Sequence, residues 1–290
     1  MKFAGGISME KIVNIAKQFK YNSLQYIDIE DISNSVQYIK TDSNIFLYQR
    51  CNISKELYWD SISDNNIQLF WAADSEESFL KGLLQTIDHI RKNEVNTGKI
   101  YIEFIPEDFL NNMAKHGFEI VSEWVDFWNS DLNSLHINQK YSVNIRLLNE
   151  NETKDAGELT RSCTGYSRGF VGQSDELIKE WMETENSHLF VAELEGNIVG
   201  LCFVILYGFE SERGTILWIR ELAVDPRYQS RGIGRQLILY GINWGKEKGA
   251  KRSFLACDAE NYNAIKLYES LNYKRSNERG QINMELTIKK

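Results

Sequence analysis

Apolar positions along this chain switch repeatedly between a period near 3.6 and a period of two, so helices and strands alternate. Residues Met9–Phe19 open with a helical pattern, and strand-like stretches follow, of which Ile45–Gln49 and Gln68–Ala72 are the clearest. Phe79, Leu83, Leu84, Ile87 and Ile90 then mark one face of an amphipathic helix. A strand over Lys99–Ile105 stops at Pro106, and a helix over Asp108–Lys115 ends at Gly117, which suits a left-handed cap. Two short aromatic strands, Phe118–Ser122 and Trp124–Trp128, come next, and the polar, aperiodic segment Asn129–Lys140 reads as a linker.

The second half opens with a strand, Ser142–Leu148, and a helix, Thr153–Arg161. A loop carrying Gly165, Gly169 and Gly172 leads to a helix at Asp175–Glu183. Strands His188–Leu194 and Ile198–Tyr207 form a hairpin through the turn at Gly196. After a second turn, Tyr207–Gly214, come strand Thr215–Val224, a long helix Gly232–Lys248, strand Arg252–Cys257 and helix Asn261–Leu271. Strands Tyr273–Ser276 and Ile282–Leu286 finish the pattern. The fold class is α/β with a mixed sheet. Lys99–Phe118 and Phe254–Tyr273 are equally long and share the order strand, turn, helix, strand, each after a long helix, so the two halves look like copies of one plan. The expected division is 1–138 and 139–290.

A length of 290 residues agrees with two domains, and 42% hydrophobic residues give each a core. The longest apolar run, Leu201–Tyr207, is too short to span a bilayer, and the first ten residues hold no sustained apolar stretch. The chain therefore reads as soluble and cytoplasmic. A net charge of −8 argues against nucleic-acid or anionic-membrane partners. That charge is unevenly held: residues 1–140 carry 13 basic and 20 acidic side chains, residues 141–290 carry 20 and 21. A polyanionic ligand should prefer the second half. Cys51, Cys163, Cys202 and Cys257 lack metal-ligand spacing and read as buried reduced thiols, so no metal site is expected.

The informative tract runs from Glu221 to Arg235, ELAVDPRYQSRGIGR. It reads as a strand ending at Val224, a turn begun by Asp225 and Pro226, and a loop entering a helix at Gly232. Helix starts carry unpaired amides and partial positive charge, which suits an anion. Arg227, Arg231 and Arg235, spaced by four, add positive charge to it. A Walker loop is excluded, since no Gly-Lys-Ser/Thr follows, and the three-glycine dinucleotide pattern is absent.

The segment Gln229, Ser230, Arg231, Gly232, Ile233, Gly234 resembles the acyl-CoA pyrophosphate loop of the GNAT acetyltransferase superfamily. A second tract, Asn261 to Tyr273 (NYNAIKLYESLNY), is similar to the family's Asn-x-x-Ala-x-x-Leu-Tyr-x-x-x-Gly-Phe, with Asn272 and Tyr273 where Gly-Phe is usual. Asn tolerates a left-handed backbone nearly as Gly does, so the turn should survive. The resemblance, over roughly 142–288, together with the plan the two halves share, implies two GNAT-like domains in tandem, each a mixed, mostly antiparallel sheet flanked by helices. It also implies acetyl-CoA as cosubstrate, with its pyrophosphate on residues 229–235, its pantetheine along Leu222, Ala223 and Val224, and Asn261 as a further positioning group. A primary amine would attack the thioester directly, the amine belonging to a small molecule, a lysine or a chain N-terminus. Tyr268 would protonate the leaving thiolate, an amide near Val224 would stabilise the oxyanion, and Glu221 is the candidate base, a water relay being the other option. An acyl-CoA-binding sensor without catalysis, or an enzyme using another acyl donor, are the rival readings. In the first half the equivalent loop, Ala73–Ser78, has no glycine and three carboxylates, and Pro106 and Met113 stand opposite Asn261 and Tyr268. That half is expected to be a degenerate copy without a cofactor loop.

Overall fold

Helix and strand alternate as that periodicity requires in the computed structural model, which describes residues 9–27, 32, 37–41, 43–51, 65–94, 96–135 and 141–288. In chain order the elements are α1 (Met9–Ala16), β1 (Tyr21–Asn22), β2 (Gln37–Lys40), β3 (Asn44–Arg50), β4 (Ile67–Ala73), α2 (Glu76–Asn93), β5 (Lys99–Ile102), α3 (Leu110–Lys115) and β6 (Glu119–Asn129). There follow β7 (Asn144–Leu147), α4 (Thr153–Ser162), α5 (Asp175–Glu183), β8 (Ser187–Leu194), β9 (Asn197–Tyr207) and β10 (Ile216–Val224). The last are α6 (Ile233–Glu247), β11 (Arg252–Asp258), α7 (Tyr262–Glu269), β12 (Lys274–Arg275) and β13 (Gln281–Thr287). Two units are formed: one holds the described residues up to Ser122 together with those from Gln281 onward, the other Glu123–Gly280.

In the first unit the strand order is β2–β3–β4–β5–β13. β4 and β5 are parallel, Ile67–Leu69 beside Ile100–Ile102, and their neighbours are antiparallel. Alternation sorts β3 and β4 between two faces. Phe46, Leu69 and Trp71 pack on α2 through Phe79, Leu83 and Ile87, while Ile45, Leu47 and Phe70 pack on α1 through Ile12 and Val13. β4 runs on beyond its last pairing with β5, and there its edge is taken by the chain itself. Tyr21 and Asn22 pair with Ala73 and Ala72, and the Trp71 amide donates to the Ser23 hydroxyl oxygen at 2.9 Å. α2 starts with a reciprocal Ser75–Ser78 cap and has Glu76 and Glu77 in its first turn.

In the second unit the order is β12–β6–β11–β10–β9–β8–β7, with β10 and β11 the parallel pair. Val125, Phe127, Leu217, Ile219, Leu255 and Cys257 face α6 and α7, and Leu237, Ile238 and Ile242 of α6, Tyr268 of α7 and Leu271 just beyond it complete the main core. On the opposite face α4 and α5 cover β8 and β9 through Leu159, Ile178 and Trp181 against Leu189, Val191, Leu201 and Phe203.

Three expectations change. The chain divides at Ser122/Glu123 and not near residue 138, and β13 returns to the first unit, where Met284 pairs with Ile102 and Glu285 meets Lys99 at 2.7 Å. Period-two alternation sets the face a residue takes and is silent on its partner strand, so this pairing was not legible. The two strands expected at Phe118–Ser122 and Trp124–Trp128 are one, β6, kept extended at Glu123 by its amide donating to the buried Asp258 carboxylate at 2.8 Å. The supposed linker begins as structure: Leu132 is fully buried and its amide donates to the Lys251 carbonyl at 2.9 Å. Residues 136–140 lie outside the described residues. All four cysteines are free and buried, as expected.

Candidate functional site

Strand β10 builds the site through one irregularity. Its register against β9 slips at Arg220: Ile219 opposes Val204, yet Glu221 opposes the next residue back, Phe203. Arg220 is therefore a β-bulge, and every side chain beyond it changes face. Glu221 joins Phe203 on the α4/α5 side, while Leu222 and Val224 turn toward α6. A regular strand would have pointed the Glu221 carboxylate into the α6 core.

A strand edge left unpaired among the described residues is the second feature. Parallel pairing of β10 with β11 covers Ile216–Trp218 against Arg252–Phe254 only, although both strands continue. The Asp225 amide donates to the Val199 carbonyl at 3.0 Å, so alternation commits the Ala223 backbone to β9 and turns the Leu222 and Val224 amides outward. The Val224 carbonyl on that edge accepts from Gln229 Nε2 at 3.0 Å and from the Cys163 thiol at 3.3 Å. The first unit has the same divergence of parallel strands, but there β1 covers the edge.

Next comes the turn at Asp225 and Pro226. The Asp225 carboxylate is nearly buried, accepts the Arg227 amide at 2.9 Å and pairs with the Arg227 guanidinium at 2.6 Å, which holds it below the usual carboxylate range. Ser230 and Gly232 are both left-handed, at φ 60° and 76°. Left-handed residues alternating with others turn successive amides to one side, a concave anion-binding nest. α6 starts at once: its first ladder bond runs from the Gln236 amide to the Gly232 carbonyl at 3.1 Å, so the amides of Ile233, Gly234 and Arg235 precede the ladder. A Cβ on Gly232 would meet nothing nearer than 4.0 Å, so the glycine serves the backbone angle and not space. Of the arginines, Arg227 is engaged by Asp225, Arg231 lies over the Tyr228 ring, and Arg235 reaches Ser270 Oγ at 2.7 Å.

The second tract forms α7 and its turn. Asn261 caps the helix, its Oδ1 accepting the Ala264 amide at 3.2 Å. Seven residues on, Tyr268 is buried edge-on to Phe127, with no hydrogen bond from its hydroxyl among the described residues. Burial first, then the nearby Cys257 and Glu221, hold its phenol well above the usual range, so it keeps its proton at neutral pH. Asn272 is left-handed at φ 61°, as the sequence required.

The Glu221 carboxyl is pushed up to about 7 by burial, which outweighs the opposing pull of Arg220 and of the Gln173 and Leu222 hydrogen bonds. Gln173 Nε2 stands 3.4 Å from the carboxylate and comes from the glycine-bearing loop between α4 and α5. That loop is tied down by Arg168, which meets the buried Asp258 at 3.1 Å and Glu260 at 2.9 Å. Neither Gln173 nor Arg168 was singled out by sequence, since nothing local to either marks a partner some 48 or 90 positions away. Glu221 and Tyr268 are brought within electrostatic reach of one another, Leu222 and Val224 offer the free edge, and Gln229 to Arg235 form the turn beyond it. Among the described residues no cluster of His, Cys, Asp and Glu could hold a metal ion, and no helix is long and apolar enough to cross a membrane.

Known proteins agree with this architecture. Residues 155–273 match the acetyltransferase (GNAT) family. A mycothiol acetyltransferase of Thermobispora bispora is 33% identical over 87 residues, a stretch covering 30% of each chain. The chain thus spans under a third of that relative's length. A functionally unknown conserved protein of Staphylococcus epidermidis superposes with a TM-score of 0.55 at 17% identity, covering 92% of this chain and all of that one. A GCN5-related N-acetyltransferase of Sphaerobacter thermophilus superposes with a TM-score of 0.55 at 14% identity, over 86% and 78% of the two chains. The second unit carries a domain of the GNAT acetyltransferase family.

Proposed function

We propose that the second unit transfers an acetyl group from acetyl-CoA to a primary amine by direct attack. The observation that carries this is the disposition of two proton-handling groups about the free edge of β10. Glu221 lies on the α4/α5 side and Tyr268 comes from α7 on the other. The residues present fit the cosubstrate. The outward backbone edge from Leu222 to Val224 can pair with a pantetheine arm, as a short strand would, leaving the Val224 amide for the thioester oxygen. The left-handed turn at Ser230 and Gly232 and the first amides of α6 suit a pyrophosphate. Bound acetyl-CoA supplies an activated acyl group and a good leaving thiolate. Glu221, titrating near 7, accepts the proton of the attacking amine; the outward Val224 amide stabilises charge on the thioester oxygen; Tyr268 gives its proton to the departing sulfur. The acceptor on this reading is a small-molecule amine, or a lysine or N-terminal amine of a protein.

The first unit is read as a degenerate GNAT-like domain. Tyr21–Ser23 cover the strand edge that would take a pantetheine, and Glu76 and Glu77 stand at the helix start where a pyrophosphate would need positive charge. Release of CoA thiol from acetyl-CoA across a panel of amines tests the proposal. Thiol release that depends on an amine supports it, and tight acetyl-CoA binding without turnover of any amine replaces it with the sensor reading.

A further inference from the structure

The face of the sheet carrying Glu221 also carries a row of half-buried aromatic rings with no role in handling the cosubstrate. Because Val125, Phe127, Leu217, Leu255 and Cys257 face α6 and α7, alternation puts Trp128, Phe254 and Trp218 on the opposite face. Among the described residues the buried core formed by α4 and α5 lies against β8 and β9, and none of the three rings belongs to it. The rings form a continuous row across β6, β11 and β10. Trp128 lies 4.8 Å from Phe254, and Phe254 lies 6.1 Å from Trp218, centroid to centroid. Guanidinium groups stand over both ends: Arg252 is 5.7 Å from the Trp128 ring and Arg220 is 5.6 Å from the Trp218 ring. Glu221 follows Trp218 on the same face, one bulge further along β10 and hence about 7 Å away by strand rise.

We propose that this row is the acceptor floor and that the acceptor is an arylalkylamine. Its planar ring lies on Trp218 and Phe254, and two or three methylene-length bonds carry its single amine to Glu221. This deepens the proposed acetyl transfer and rests on it. The aromatic row favours a flat apolar body, which stacks or packs edge-on. Arg220 stands near Glu221 and Arg252 near Asp126, so the flat rings and not charge select the acceptor, and polyamines, aminoglycosides and lysine-rich peptides, which bring no aromatic ring, are poor matches. The Glu221 carboxylate beside the row takes the amine that reacts; Asp126 shares that face two residues before Trp128 on β6.

The test uses the full chain and acetyl-CoA with phenethylamine, tryptamine, spermidine, an aminoglycoside and a lysyl peptide, read by CoA release. The expected result is a kcat/KM for the two arylalkylamines at least tenfold above the others. Trp218→Ala should raise KM for phenethylamine at least tenfold with little change in kcat, and Trp218→Phe should restore most of it. Calorimetric titration of acetyl-CoA into each variant shows whether the cosubstrate site is intact. Preference for a polycationic or peptide amine overturns the floor while the acetyl transfer stands. Arylalkylamine turnover whose KM is indifferent to Trp218→Ala also overturns it. Failure of every amine together with absence of acetyl-CoA binding overturns the acetyl transfer, and the floor with it.

Discussion

Replacing Glu221 by Gln keeps the shape and the hydrogen bond to Gln173 but removes the proton acceptor. A carboxyl titrating near 7 is about one-tenth ionised at pH 6, half at pH 7 and nine-tenths at pH 8. A reaction that needs the ionised form should therefore accelerate about fivefold from pH 6 to 7 and about twofold from 7 to 8. The amine titrates as well, so the informative quantity is the ratio of wild-type to Glu221→Gln rate with one acceptor at each pH. That ratio should climb with this profile to a plateau of about 10² to 10⁴, the usual worth of a general base. Stability gives a second readout. The folded carboxyl keeps its proton to about 7, whereas the unfolded one releases it near 4.5, so wild-type stability falls as pH rises through that window. Each pH unit across the window is worth about 1.4 kcal/mol, and the whole fall is about 3 kcal/mol. Glu221→Gln, having nothing to ionise, should gain most of that over wild type between pH 5 and pH 8 in urea unfolding. A rate ratio that stays near one at all pH values, or a stability difference independent of pH, rules out Glu221 as a buried base.

Tyr268→Phe should lower kcat about 10- to 100-fold with unchanged affinity for acetyl-CoA, since only the proton for the leaving thiolate is lost; stopped-flow thiol release and calorimetry separate the two. Gly232→Ala forces a Cβ into a left-handed residue, which costs about 1–2 kcal/mol; the midpoint of thermal unfolding should fall by several degrees, and acetyl-CoA should bind at least tenfold more weakly by calorimetry. At Asn272, φ 61°, substitution by Gly should be neutral or slightly stabilising, while Asn272→Ala should lose about 1 kcal/mol in urea unfolding. Arg168→Ala unties the loop bearing Gln173 and leaves the buried Asp258 without its cation, so KM for the amine should rise while acetyl-CoA affinity holds.

The parts of the site written in local backbone demands were legible in the sequence. Asn272 stands where a left-handed angle is needed, and Asp225 and Pro226 start the turn, whereas the left-handed Gly232 and the cap at Asn261 came only with the structure. Long amphipathic stretches such as Phe79–Ile90 were equally plain, because their period is a property of neighbours. What escaped depends on pairing between distant segments. The return of β13 beside β5 leaves no trace in alternation, which is the same whichever strand lies next door. The bulge at Arg220 exists only relative to β9, yet it decides that Glu221 faces the α4/α5 side. Gln173 and Arg168 lie in a loop without periodicity, and their partners are set by where that loop docks. The acidic Ala73–Ser78 turn argued from charge alone against a cofactor in the first unit; the covering of β4 by Tyr21–Ser23 adds a steric reason that residue types do not disclose.

A crystal structure of the full chain with acetyl-CoA tests the proposed acetyl transfer at its centre. One molecule per chain is expected, its pantetheine hydrogen-bonded to the Leu222 and Val224 backbone, its pyrophosphate on the amides of residues 231–235, and its sulfur between Glu221 and Tyr268. A molecule bound instead along Trp71–Ser78, or one in the second unit with its thioester remote from both Glu221 and Tyr268, would contradict it.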